Sequence, residues 1–201
     1  LGFARKATED EIKKFDQEHN YCIPHHPVVR QDKVTTKIRP VFNASSPDDY
    51  GLSLNDRLHV GPALQPDLTK VLIRFRMNYY AIMADVEKMF CQTRTQEEDF
   101  QFQQYLWRDF DRSSEPERYV MTTVMFGVGP SPFLSIGAVH HHAKRSDMKE
   151  EYPMACKSVC KNGYVDDVCD GEDSIAAAQR LALELKGLFA AGGWNLTKFI
   201  S

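Results

Sequence analysis

The four residues Tyr164-Val165-Asp166-Asp167 constrain this chain more than any others. Two adjacent carboxylates stand between short β-prone runs, Ser158-Val159-Cys160-Lys161-Asn162-Gly163 before them and Val168-Cys169 after. Val, Tyr and Cys suit a half-buried strand, and an Asp pair suits the tight bend joining two strands. The pattern predicts a hairpin over residues 159–169 with both acids at its tip. Two like charges that close repel unless a cation neutralises them, and ligands that are all oxygen favour Mg²⁺ or Mn²⁺ over zinc. An ordinary Asp-rich turn is the competing reading, and the rest of the chain argues against it.

Upstream, Tyr79-Tyr80-Ala81-Ile82-Met83-Ala84-Asp85-Val86 reads as a buried strand ending on an acid, followed by Glu87-Lys88-Met89-Phe90, where the β-run stops. An acid at that end of a core strand either caps the next element or projects into a cleft. Asp85, then Phe90, then the Tyr-x-Asp-Asp stretch, with Phe126-Gly127-Val128-Gly129-Pro130-Ser131-Pro132-Phe133 between them, resemble the polymerase core of reverse transcriptases. The resemblance is nearest to LTR retrotransposons of the BEL/Pao group. It is carried in order by Tyr21-Cys22-Ile23-Pro24-His25-His26, the run Lys37 to Ser45, Ser53-Leu54-Asn55-Asp56, the run Val60 to Leu68, and Arg74-Phe75-Arg76.

That resemblance implies nucleotidyl transfer, in which a primer 3′-hydroxyl attacks a dNTP on an RNA or DNA template. Two Mg²⁺ ions (or Mn²⁺) about 4 Å apart serve such chemistry. Asp85 and Asp166 match the metal-bridging aspartates, Asp167 the third acid, and the Val86 carbonyl a further ligand. Phe90 matches the ring that excludes a ribose 2′-hydroxyl. Lys37 and Arg39 match the triphosphate contacts of the fingers hairpin, where a guanidinium grips phosphate in bidentate fashion. Phe126 and Gly127 match residues beside the incoming nucleotide, Gly127 permitting close backbone approach. Lys198 resembles the lysine that protonates departing pyrophosphate. Ser131-Pro132 read as an N-cap and first helical turn.

The fold class expected is therefore α+β: right-hand polymerase fingers and palm, with an antiparallel palm sheet backed by helices and no thumb. Residues 1–20 read as an N-terminal helical linker with a capping box at Thr8 and Glu11. Fingers fall mainly in residues 21–80 and 100–125, palm mainly in 81–99 and 126–201. Helices are expected over 66–77, 132–144 and 174–191, and strands over 101–107 and 119–125. The start at Leu1 suggests a segment of a polyprotein that, as the family implies, carries protease, RNase H and integrase.

Composition limits the alternatives. A net charge of −3 is not that of a general nucleic-acid coat, although an acidic cleft subtracts from basic gripping surfaces. No apolar run approaches the ~20 residues of a membrane span, and no secretory signal opens the chain. Five cysteines without a CxxC pair read as reduced thiols in an intracellular, cytoplasmic protein. His140-His141-His142 is expected on a helix surface facing solvent or template, because consecutive helical residues diverge. Two other functions fit less of the chain: an RNA-dependent RNA polymerase palm, against which Phe90 speaks, and an inactive retroelement remnant that binds nucleic acid.

Overall fold

A computed structural model describes residues 2–18, 21–31, 38–109 and 111–201. In chain order, the elements of the first half are β1 (Ala4–Lys6), α1 (Glu9–Glu18), β2 (His25–Val29), β3 (Ile38–Phe42), α2 (Leu54–Arg57), α3 (Leu68–Phe75) and β4 (Tyr80–Val86). There follow β5 (Gln104–Trp107), β6 (Glu117–Met121), α4 (Ser131–Lys144), α5 (Ser146–Glu151), α6 (Pro153–Asn162), β7 (Gly163–Tyr164), β8 (Asp167–Glu172), α7 (Ile175–Ala191) and β9 (Leu196–Ile200). They divide into two compact units: residues 1–61 with 93–131, and residues 62–92 with 132–201.

Unit 1 holds an antiparallel sheet in the order β1-β6-β5 and the separate β2–β3 hairpin. Ile23, Phe42, Ala44, Met121 and Met125 form one core, and Ala7, Phe15, Phe100 and Val120 a second. The capping box at α1 is present: Glu11 N–H donates to Thr8 Oγ1 at 3.2 Å and Thr8 N–H to Glu11 Oε2 at 2.8 Å. The opening segment is more than a helical linker, because β1 pairs with β6 from Ala4↔Met121 to Lys6↔Tyr119. Three residues, two of them cationic, show no strand periodicity; only the neighbouring strand makes them β.

Unit 2 is a four-stranded antiparallel sheet, β7-β8-β4-β9. Strand β4 alternates, with Ile82, Ala84 and Val86 buried and Met83 exposed, so it is apolar on one face only. That face joins Ile136 and Val139 of α4, Val159 of α6, and Leu181, Leu185 and Leu188 of α7 in the core. Helix α7 starts and stops as its sequence predicts: the Ser174 hydroxyl accepts from Ala177 N–H, and Gly192-Gly193 ends it, Gly193 at φ +84°.

Three expectations are corrected. Residues 159–162 are helical rather than a hairpin strand, so the hairpin shrinks to β7 and β8. Pro153 opens α6 in the one place where its missing N–H costs nothing, and Ala155, Cys156 and Val159 bury a face at helical spacing, which outweighs the β-propensity of Val159 and Cys160. His142 is buried, with Nε2 2.9 Å from the Leu188 carbonyl and its ring against Trp194; His141 alone of the triplet is exposed. Three consecutive helical residues sweep most of the circumference, so one of them meets the core. Finally, the Ser131 hydroxyl does not cap α4 but donates to the Met125 carbonyl at 2.5 Å. Among the described residues no helix is long and apolar enough to cross a membrane, and all five cysteines are free thiols.

Candidate active site

Because β4 alternates, Asp85 projects from the face opposite the core, near the strand's carboxyl end. Strand β8 runs antiparallel beside it in unbroken register from Tyr80↔Glu172 to Asp85↔Asp167. Residues directly opposite in an antiparallel pair project to the same side with Cβ atoms about 5 Å apart. This pairing is what joins acids so far apart in sequence.

Asp166 is delivered by the turn between β7 and β8. With Tyr164 paired to Asp167, the loop is the two residues Val165-Asp166. Val165 sits at φ +55°, a region where glycine is usual and a β-branched residue is strained. The turn is tied to β4 by the Val86 N–H, which donates to the Asp166 carbonyl at 2.7 Å. Among the described residues, four that are not glycine have positive φ: Lys88, Asp109, Val165 and Lys198. Three of these flank the acids. Such backbone persists where the surrounding structure over-determines it, and it clusters at functional sites.

Burial pushes the Asp167 carboxyl above its ordinary value, and the charges of Asp166 and Asp85 push it further; Lys198 acts in the opposite sense. Asp167 is itself exposed at the start of β8, and with Val86, Val159, Val168 and His140 it lines a cavity of about 20 Å³. Lys198 Nζ lies 3.0 Å from Asp85 Oδ1. The carboxylate donors and their mutual repulsion fit a hard divalent cation. Yet among the described residues no three His, Cys, Asp or Glu side chains are gathered as a ready metal cage; Lys198 stands at Asp85 instead.

Asp85, Val86, Asp166, Asp167 and Lys198 are thus brought together in unit 2. Phe90 follows in the same unit, half-buried in a short 3₁₀ turn whose Met89 and Cys91 are buried. A brace that sequence reasoning missed holds this turn: Asn195 Nδ2 donates to Glu87 Oε2 at 2.8 Å, and Glu87 N–H to the Asn195 carbonyl at 2.9 Å. Nothing local in Glu87 or Asn195 signals that contact.

Arg39, Phe126 and Gly127 belong to unit 1, and Lys37 lies outside the described residues. Arg39 is exposed on β3, opposite Val28. Gly127 takes φ +85°, and a Cβ there would stand 2.2 Å from the Phe42 carbonyl oxygen, so no other residue fits. Asn55 clamps the same turn, donating from Nδ2 to the Gly127 carbonyl at 3.1 Å and accepting from Gly129 N–H at 2.7 Å. Asn55 stands in the Ser53-Leu54-Asn55-Asp56 stretch, and nothing local to it signals its reach to residues 127 and 129.

No family model matches the sequence, and no curated protein matches it. Solved structures do. Prototype Foamy Virus protease-reverse transcriptase (CSH mutant) superposes with a TM-score of 0.67 at 16% identity, over 97% of this chain and 21% of that one. The foamy viral protease-reverse transcriptase in complex with double-stranded DNA gives 0.67 at 16%, over 98% and 28%; its complex with an RNA/DNA hybrid gives 0.66 at 16%, over 98% and 21%. The chain has a reverse-transcriptase-like α+β fold. It spans only 21–28% of the length of these proteins.

Proposed function

We propose that this chain is the fingers-and-palm core of a reverse transcriptase from a BEL/Pao-like retroelement, working on template-primer and dNTPs inside a larger polyprotein with protease, RNase H and integrase, in the cytoplasm. The observation that carries the reading is the register Asp85↔Asp167, with Asp166 held one turn residue away by its bond to Val86. Two Mg²⁺ ions bound by Asp85, Asp166, Asp167 and the Val86 carbonyl would supply the Lewis acidity that nucleotidyl transfer needs.

The remaining roles fall to the chain's own groups. Phe90 presents a ring where a 2′-hydroxyl would stand and so selects deoxynucleotides. Lys198 offers an ammonium proton to the departing pyrophosphate. In unit 1, Arg39 (with Lys37) contacts phosphate, and the Phe126-Gly127 turn lies against the nucleotide. Nucleic-acid partners are carried over from the foamy viral complexes, and the ordered motifs from Tyr21 onward favour BEL/Pao within the wider family.

Primer extension by the parent polypeptide tests the reading. Asp166→Asn is expected to lower extension by roughly a hundredfold or more, the usual cost of removing a group that stabilises transition-state charge. Phe90→Ala is expected to raise NTP incorporation relative to dNTP. Equal extension by wild type and Asp166→Asn removes the acid from catalysis.

A further inference from the structure

Strand β9 does not run evenly along β4. Val86 pairs with Leu196 and Asp85 with Thr197, but Met83 pairs with Ile200, so β9 carries one extra residue between the last two pairs. Lys198 lies in that bulge at φ +53°. Had the register simply continued, Lys198 would stand opposite Ala84, whose side chain is buried on the core face. A slip of one residue turns a side chain to the other side of a sheet, and a bulge re-aims it locally. Here the bulge turns the ammonium away from the core and onto the Asp85 carboxylate, 3.0 Å distant. The Lys198 side chain is 70% exposed while that of Asp85 is 26% exposed, so the lysine reaches in from solvent.

We propose that Lys198 is a built-in counter-ion that holds the place of a divalent cation at Asp85 and is displaced when that cation binds. The inference rests on the reading of Asp85 as a metal ligand and adds to it a competition between ammonium and metal. The acids then stay partly neutralised in the absence of metal, although two of them face each other across the β4–β8 ladder. The same pairing opposes metal binding until the ion concentration is high enough to expel the lysine.

The test is titration with Mn²⁺ alone, following the paramagnetic resonance of the free ion, for wild type, Lys198→Met, Lys198→Gln, Lys198→Arg, Asp85→Asn and Lys186→Met, the last an exposed lysine on α7. Removing a positive charge in contact with the site is expected to tighten Mn²⁺ binding roughly three- to tenfold at low salt, less as salt screens the charges. Both neutral replacements are expected to show the gain, Lys198→Arg and Lys186→Met to bind as wild type does, and Asp85→Asn to abolish the gain in the Lys198→Met background. Circular dichroism checks that each variant folds. Wild-type affinity in both neutral variants, or an equal gain in Lys186→Met, overturns the proposal. Mn²⁺ binding that depends on Asp85 but not on Lys198 sinks the counter-ion alone; no Asp85-dependent binding in any variant sinks the metal reading and the proposal with it.

Discussion

Glu184 is a carboxylate inside the apolar face of α7, 8% exposed, between Leu181 and Leu188. Its partners explain it. Helix α6 begins after Tyr152 with no capping side chain, and its first N–H groups need acceptors. Glu184 Oε2 supplies one from a different helix, accepting from Met154 N–H at 2.7 Å and Ala155 N–H at 3.3 Å, while Oε1 accepts from Arg180 Nε at 2.8 Å. Glu184→Ala removes both helix-terminal bonds and leaves one buried and one part-buried donor unpaired, each costing up to about 1–3 kcal/mol. Water entering the vacated space recovers part, so the expected loss is about 2–4 kcal/mol. Glu184→Gln keeps an oxygen for the N–H groups and loses mainly the charge facing the helix dipole, about 1 kcal/mol. Arg180→Ala should cost less than about 0.5 kcal/mol, because that side chain is 65% exposed and such pairs contribute little. Urea unfolding, followed by circular dichroism and by tryptophan fluorescence, measures all three. Glu184→Ala within about 0.5 kcal/mol of wild type, or Glu184→Gln as damaging as Glu184→Ala, refutes the cap.

Gly127→Ala places a Cβ 2.2 Å from the Phe42 carbonyl oxygen at a φ of +85°. The left-handed conformation alone costs about 1–2 kcal/mol, and relieving the backbone clash brings the expected loss to about 3 kcal/mol or more, read by urea unfolding of the variant. Glu11→Gln tests the acid limb of stability. The Arg5 guanidinium, which meets Glu11 through two bonds of 2.7 Å, holds the carboxyl at about 2 against an ordinary 4.5. A depressed folded value means the contribution is complete above 4.5 and is lost as pH falls towards 2. Wild type should therefore lose stability more steeply than Glu11→Gln across that window in acid titrations followed by circular dichroism; parallel curves would remove the pair from the acid limb.

What was legible in the sequence follows from range. The aromatic and aliphatic run before Asp85 announced β4, the helix expected over 174–191 is α7, and the Asp pair announced a turn, although only Asp166 lies in its loop while Asp167 opens β8. Each is a local pattern that the final structure keeps. The misreadings all come from tertiary effects. Val159 and Cys160 favour a strand by propensity, but the core accepts them at helical spacing. His142 is polar, yet the Leu188 carbonyl and Trp194 provide it a buried place. Lys198 could be picked out as a cation near the site, but its contact with Asp85 depends on an extra residue in β9, which no pattern in Leu196–Ile200 reveals.

The backbone around the acids follows the same logic. Val165 would not choose φ +55° in a free peptide, and neither Lys88 nor Lys198 gains from a left-handed conformation. Each stays there because its neighbours leave no other arrangement. Six residue pairs lock β4 to β8 on one side of Asp85, and the Val86 N–H grips the turn at Asp166. Asn195 and Glu87 tie the chain beyond β4 to the start of β9. On the far side of the turn, Gly163 joins α6 to β7 with no spare residue, in a space where a Cβ would lie 2.7 Å from the Val159 carbonyl oxygen. The position of α6, and with it the cap from Glu184, therefore bears on where Tyr164 enters the turn. A weakened cap should reach the acids through this junction before it unfolds the unit, because the strained turn has no local preference to fall back on.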